Sequence, residues 1–157
     1  MVSDYQIRPM RVRDVDQVVA IEREAFPIPW SRFTYVSEIV HNDRAHYFVA
    51  VDEDRVLGYA GMWLIAGEGH ITNVAVAAPY RRQGIGTKLL RTLAETARGY
   101  GALRLTLEVR RSNEEAQGAY KKCGFLSVGV RPGYYLDNGE DAVIMWKDLM
   151  EEVVYGG

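Results

Sequence analysis

What the sequence lacks narrows its function first. Cys123 is the only cysteine among 157 residues. Neither an intrachain disulfide nor a cysteine-built zinc site can form, and a reducing, cytosolic setting fits. Histidine is also scarce, and His41, His46 and His70 show no paired metal-binding spacing. No apolar run approaches the length of a membrane-spanning helix. The opening residues, Met1-Val2-Ser3-Asp4-Tyr5-Gln6, lack a basic segment followed by an apolar one, so no secretory signal is expected. There is no internal repeat, linker-like stretch or break in composition, which leads to the expectation of one domain over residues 1–157. With 48% hydrophobic and 25% charged residues, the chain has globular values and enough apolar residues for a core.

A net charge of −2 argues against a general nucleic-acid binder, but its distribution is uneven. Residues 1–78 carry 7 Arg against 11 acidic residues. Residues 79–131 carry 11 basic residues against 4 Glu, and residues 132–157 carry 1 Lys against 6 acidic residues. A basic middle between acidic ends suits a local anion site, such as one for a phosphorylated cofactor. Chance clustering of solvated charges would look the same.

The periodicity alternates between strand and helix. Tyr5–Met10 reads as a strand. A helix follows, capped by Asp14 with Gln17 as box partner, and is stopped by Pro27 and Pro29. Ser31 can cap a second helix reaching about His41. Residues 47–51 and 56–65 read as a hairpin, and residues 70–77 as the next strand. Ile85, Leu89, Leu90, Leu93, Ala94 and Ala97 share one face of a helix over residues 85–100. Leu103, Leu105, Leu107 and Val109 alternate as a strand; Ser112 and Glu115 form a possible capping box for the next helix, and residues 125–130 and 141–146 close the pattern. The order gives an α/β (α+β) fold, a mixed sheet covered by helices, with a right-handed parallel crossover over 70–109.

Between that strand and helix lies Pro79-Tyr80-Arg81-Arg82-Gln83-Gly84-Ile85-Gly86-Thr87. Gly84 and Gly86 let the backbone bend and approach a ligand. The amides opening the helix point outward, and the two arginines add charge. Together these features can cradle a pyrophosphate, although a plain glycine-rich turn would need no ligand. The segment is not a Walker loop, and Leu89 stands where a dinucleotide fingerprint has its third glycine.

Arg81-x-x-Gly84-x-Gly86 resembles the signature of the GNAT superfamily of acyl-CoA N-acyltransferases. The resemblance continues through Leu107-Glu108-Val109-Arg110, Ser112-Asn113, Ala116, Tyr120 and Gly124-Phe125. Phe26–Ser31, Asn73–Val76, Tyr134-Tyr135 and Gly139–Ala142 extend it to the RimI-type ribosomal-protein-alanine N-acetyltransferases, over about residues 5–150. Ala119, where relatives usually carry Leu, and the helix-weakening Gly118 are departures. The resemblance implies a mostly antiparallel seven-stranded sheet with about four helices, and an acetyl-CoA cleft between strands 70–77 and 103–109. It places the pantetheine arm on the backbone of Val74, Ala75 and Val76. The pyrophosphate would sit on Arg82, Gln83, Gly84, Ile85, Gly86 and Thr87 beside Arg81, with Asn113 near the reactive end of the cofactor.

Amide formation from a thioester needs a neutral amine, donors for the oxyanion and a proton for the thiolate. An α-amine with a pKa near 8 is about one-tenth neutral at pH 7, whereas a lysine is almost wholly charged. A carboxylate base therefore serves an N-terminus more easily. Glu108 alone could be a solvent-facing strand carboxylate, and Tyr120 a core aromatic. The resemblance makes Glu108 the general base and Tyr120 the general acid, with a backbone amide near Val76 facing the oxyanion. Cys123 reads as a small apolar filler. The loops holding Phe26, Pro27 and Trp30, and Tyr134 with Tyr135, match those that hold an acceptor N-terminus, although both could be surface packing. Glu140 and Asp141 could attract a basic peptide. The leading reading is acetyl transfer to a protein α-amine, such as the N-terminal alanine of a ribosomal protein. Others are a small-amine or lysine acceptor, a CoA-binding module without turnover and, least favoured, a nucleic-acid module.

Overall fold

Every strand and helix expected from the periodicity is present in a computed structural model, which describes residues 4–150. In chain order these are β1 (Gln6–Pro9), α1 (Val15–Ala25), α2 (Arg32–His41), β2 (Ala45–Asp52), β3 (Arg55–Ile65), β4 (Glu68–Val76), α3 (Ile85–Gly99), β5 (Arg104–Arg110), α4 (Glu114–Lys122), β6 (Leu126–Arg131) and β7 (Ala142–Asp148). Short 3-10 turns at Val12–Asp14 and Ala78–Tyr80 were not expected; each is a single turn, too short to leave a periodic signal. The strands form one sheet in the order β1-β2-β3-β4-β5-β7-β6. β4 and β5 run parallel, pairing Glu68–His70 with Arg104–Thr106. The pairs β1–β2, β2–β3, β5–β7 and β6–β7 are antiparallel.

By contact the chain divides into two compact units, residues 1–64 with 71–93 and residues 65–70 with 94–157. In the first, Val15, Val18 and Val19 of α1 pack with Tyr35, Tyr47, Val49 and Tyr59. Leu89 and Leu93 of α3 are fully buried, so glycine at position 89 would open a cavity and forfeit about 2–5 kcal/mol. In the second, Leu105, Leu107 and Val109 fill one face of β5, and Thr106, Glu108 and Arg110 occupy the half-buried other face. That alternation places the chemistry and the core on opposite sides of the same strand.

Two expected caps are corrected. Asp14 makes no side-chain cap for α1. Its carboxylate instead accepts from Arg8 at 2.8 and 2.9 Å and from the Arg11 amide at 2.8 Å. Gln17 is drawn to β3, accepting from the Val56 amide at 2.9 Å. The cap of α4 is Asn113, one residue later than expected, whose Oδ1 accepts from the Ala116 amide at 3.1 Å. The Ser112 amide donates to Glu140 at 2.7 Å. A half-buried cation in one case and a loop carboxylate in the other outcompete the local pattern. Ser31 caps α2 as expected, accepting from the Thr34 amide at 3.2 Å.

Candidate active site

In the second unit, β5 carries Glu108 on the half-buried polar face of its alternation. The parallel register sets His70 opposite Thr106, so His70 and Glu108 share a face one step apart. Glu108 Oε2 accepts from His70 Nε2 at 2.6 Å, and Arg131 Nε lies 3.8 Å from Oε1. The Glu108 side chain is 11% exposed. Burial alone would raise its pKa. The His70 hydrogen bond, with the charges of His70 and Arg131, outweighs that and leaves the carboxyl below its ordinary value. A carboxylate kept ionised, dry on one side and bonded to an imidazole is equipped to take a proton.

The loop between β6 and β7 carries both tyrosines expected at an acceptor site. Their ring centroids are 5.0 Å apart at 83°. Burial raises both phenols, and the Glu108 charge raises them further, Tyr135 reaching about 12. Tyr120 stands on α4 with its ring 5.6 Å from that of Phe125. Burial, with Tyr135 and Cys123 as smaller causes, pushes its phenol up to about 12. Cys123 is partly buried, in keeping with a packing role. Glu140 and Asp141, expected to attract a basic peptide, are committed internally. Glu140 binds Arg110 at 3.1 Å and Asp141 binds Arg111 at 3.2 Å, so neither presents a ready charge to an acceptor.

In the first unit, the turn before α3 has the geometry of an anion cradle. Arg82 and Gly84 both have positive φ, 62° and 83°, which turns successive amides toward one side. A Cβ built on Gly84 would meet nothing within 4 Å, and one on Gly86 would meet only Val76 Cγ2 at 3.7 Å. The space over the turn is open. The α3 dipole begins at Ile85. Arg81 Nε donates to the Val76 carbonyl at 2.9 Å, which ties the turn to the end of β4. Open space and outward-turned amides suit an anion, and Val74, Ala75 and Val76 end β4 shortly before this turn.

The loop after α1 is fixed by Glu22, which the sequence did not single out. Its carboxylate is 1% exposed. It accepts from Tyr35 at 2.7 Å, from Tyr59, and from the Trp30 amide at 2.9 Å. Phe26 and Trp30 pack partly against the core of this unit, with Trp30 5.3 Å from the Tyr35 ring, while Pro27 is exposed. The role of His70 leaves no local pattern because its partner Glu108 lies 38 residues away, and Glu22 gathers partners from three other elements, Tyr35, Tyr59 and Asn73, as well as the Trp30 amide. The Thr106-x-Glu108-x-Arg110 alternation was the one signal that could have drawn attention to Arg110.

The Acetyltransferase (GNAT) family matches residues 15–125 of this chain. The chain belongs to that family. A Bacillus subtilis (strain 168) protein assigned as a ribosomal protein bS18-alanine N-acetyltransferase is 43% identical over 96% of this GNAT chain and 100% of its own. An N-alpha-acetyltransferase of Sulfurisphaera tokodaii is 37% identical over 91% of this chain and 92% of its own. Among solved structures, the ribosomal-protein-S18-alanine N-acetyltransferase of Escherichia coli is similar with a TM-score of 0.84 and 30% identity, covering 97% of this chain and 98% of that one.

Proposed function

We propose that this GNAT protein transfers an acetyl group from acetyl-CoA to the N-terminal α-amine of a protein, the acceptor being the alanine end of a ribosomal protein such as bS18. The observation carrying the chemistry is Glu108, half-buried and 2.6 Å from His70, whose hydrogen bond holds its pKa below the ordinary value. The relatives named for bS18 alanine support the acceptor. The family match runs through both units, which supports reading residues 1–157 as one acetyltransferase domain. The setting we propose is cytoplasmic; among the described residues no helix is long and apolar enough to cross a membrane.

Bound acetyl-CoA supplies a thioester carbonyl as the electrophile. The turn at Arg81–Thr87 and the start of α3 would hold its pyrophosphate, and the backbone of Val74–Val76 its pantetheine. Glu108 would take the proton of the attacking amine, directly or through a water. Tyr120, with its phenol at about 12, stays protonated at working pH. Handing that proton fully to a thiolate, whose acid has a pKa of about 8.5, is uphill. Tyr120 therefore contributes as a hydrogen-bond donor while the sulfur departs. Tyr134 and Tyr135 would receive the chain end.

The test is CoA release with a basic peptide beginning with alanine, against the same peptide with a blocked N-terminus and a lysine left open. Turnover of the open peptide alone is expected, with Glu108→Gln lowering kcat/KM by about 10²–10⁴-fold. Turnover of both peptides would assign a general amine acceptor, and turnover of neither would overturn the reading.

A further inference from the structure

Arg110 has no part in the chemistry above, yet its guanidinium is the most heavily committed in the second unit. Its side chain is 17% exposed. Nη1 donates to Glu140 at 3.1 Å and to Asn138 at 3.4 Å, and Nη2 donates to Asp137 at 3.0 Å. The plane of the group lies over Tyr135, with Cζ 4.0 Å from the ring centroid. The loop closes on itself around this cation. The Tyr135 amide donates to the Glu140 carbonyl at 3.1 Å and the Gly139 amide to the Tyr135 carbonyl at 2.8 Å. Gly133 and Gly139 take positive φ, 61° and 71°, so the segment turns sharply at both ends. Asp137 and Glu140 face Arg110, while Tyr134 and Leu136 remain exposed.

Arg110 also shares a strand face with Glu108, two residues away. One rigid strand thus carries the carboxylate and the anchor of the tyrosine loop. We propose that Arg110 is a positioning residue that holds Tyr134 and Tyr135 in register with Glu108, and so sets the affinity for the acceptor's chain end. This rests on the acceptor reading given above. A loop with two glycines has much freedom to lose on binding, and a loop already fixed presents its tyrosines without that loss. Only a planar, forked cation can stack on a ring and bond three side chains at once. Lysine has one compact charge and cannot replace it.

The experiment compares wild type with Arg110→Lys in steady-state kinetics and in amide hydrogen exchange. The expected result is a rise of about tenfold in peptide KM, an acetyl-CoA KM moved by less than about twofold, and a kcat that falls far less than KM rises. Exchange at Tyr135 and Gly139 should quicken. The double variant Asp137→Asn/Glu140→Gln removes the same anchors from the loop side and should reproduce the split, which keeps the test decisive if Arg110→Lys folds poorly. An unchanged peptide KM, or an acetyl-CoA KM that rises as much as the peptide KM, overturns the proposal. A wild-type enzyme inert toward open peptides would overturn instead the acceptor reading beneath it.

Discussion

At the scale of single residues, the bond between His70 and Glu108 sets the pH range over which the carboxylate can accept a proton. Alternation along β5 put Glu108 on the face away from Leu107 and Val109, as found. No local pattern could pair it with His70, because that contact depends on the parallel register of β4 and β5. The pairing has a measurable consequence. Glu108 must be ionised to accept a proton, and His70 lowers its pKa. His70→Ala removes the bond, the Glu108 pKa rises, and the acid limb of kcat/KM moves to higher pH, leaving activity on the plateau less affected. A loss of equal size at every pH would mean that the imidazole itself carries the proton. Glu140 illustrates linkage in the loop. Its bonds to Ser112, then Arg110 and Asn138, lower its pKa from 4.5 to about 2. A depressed folded-state pKa contributes stability above the unfolded pKa, which is lost as pH falls through the folded one. The Tm difference between wild type and Glu140→Gln should therefore shrink as pH falls from 4.5 to about 2.

At the scale of elements, strands and helices were readable from periodicity, whereas the ends of helices were not. Asp14 and Ser112 have the chemistry of caps, but Arg8 and Glu140 reach them from other elements. The turn before α3 yields a contrast between two glycines. Gly84 has φ +83° and open space above it, so a methyl there costs backbone strain of roughly 1–2 kcal/mol rather than a clash. Gly86 lacks that constraint. Gly84→Ala and Gly86→Ala should both raise the acetyl-CoA KM in steady-state kinetics, the first through backbone strain and the second through a methyl group added to the cradle, with peptide KM unmoved in both. Helix α4 contains an avoidable weakness. A Cβ on Gly118 meets nothing within 4 Å. Gly118→Ala should stabilise the protein by about 0.5–1 kcal/mol, read as a Tm higher by about 1–4 °C in a thermal melt.

At the scale of the whole molecule, the glycine-rich turn and the Glu108 strand identified the family from sequence. The internal commitment of the β6–β7 loop arises only in the folded chain, where Arg110 meets Asp137 and Glu140 27 and 30 residues further on. A cofactor that binds only the folded chain must raise its melting temperature. At about 100 times its Kd, acetyl-CoA should add about 2.7 kcal/mol, a shift of about 5–10 °C for a chain of this length. Gly84→Ala should diminish that shift at the same concentration. The ends of the sheet bear on behaviour in crowded solution. β1 has four residues and finishes at Pro9, which has no amide hydrogen to offer. At the other end, all six residues of β6 are exposed, Leu126, Val128 and Val130 among them. Its ladder with β7 shifts register between Ser127 and Gly129. That irregularity keeps an apolar border from being a straight template on which a neighbouring chain could extend the sheet. Deleting Val128 should restore a regular ladder, read as more light scattering than wild type at equal concentration.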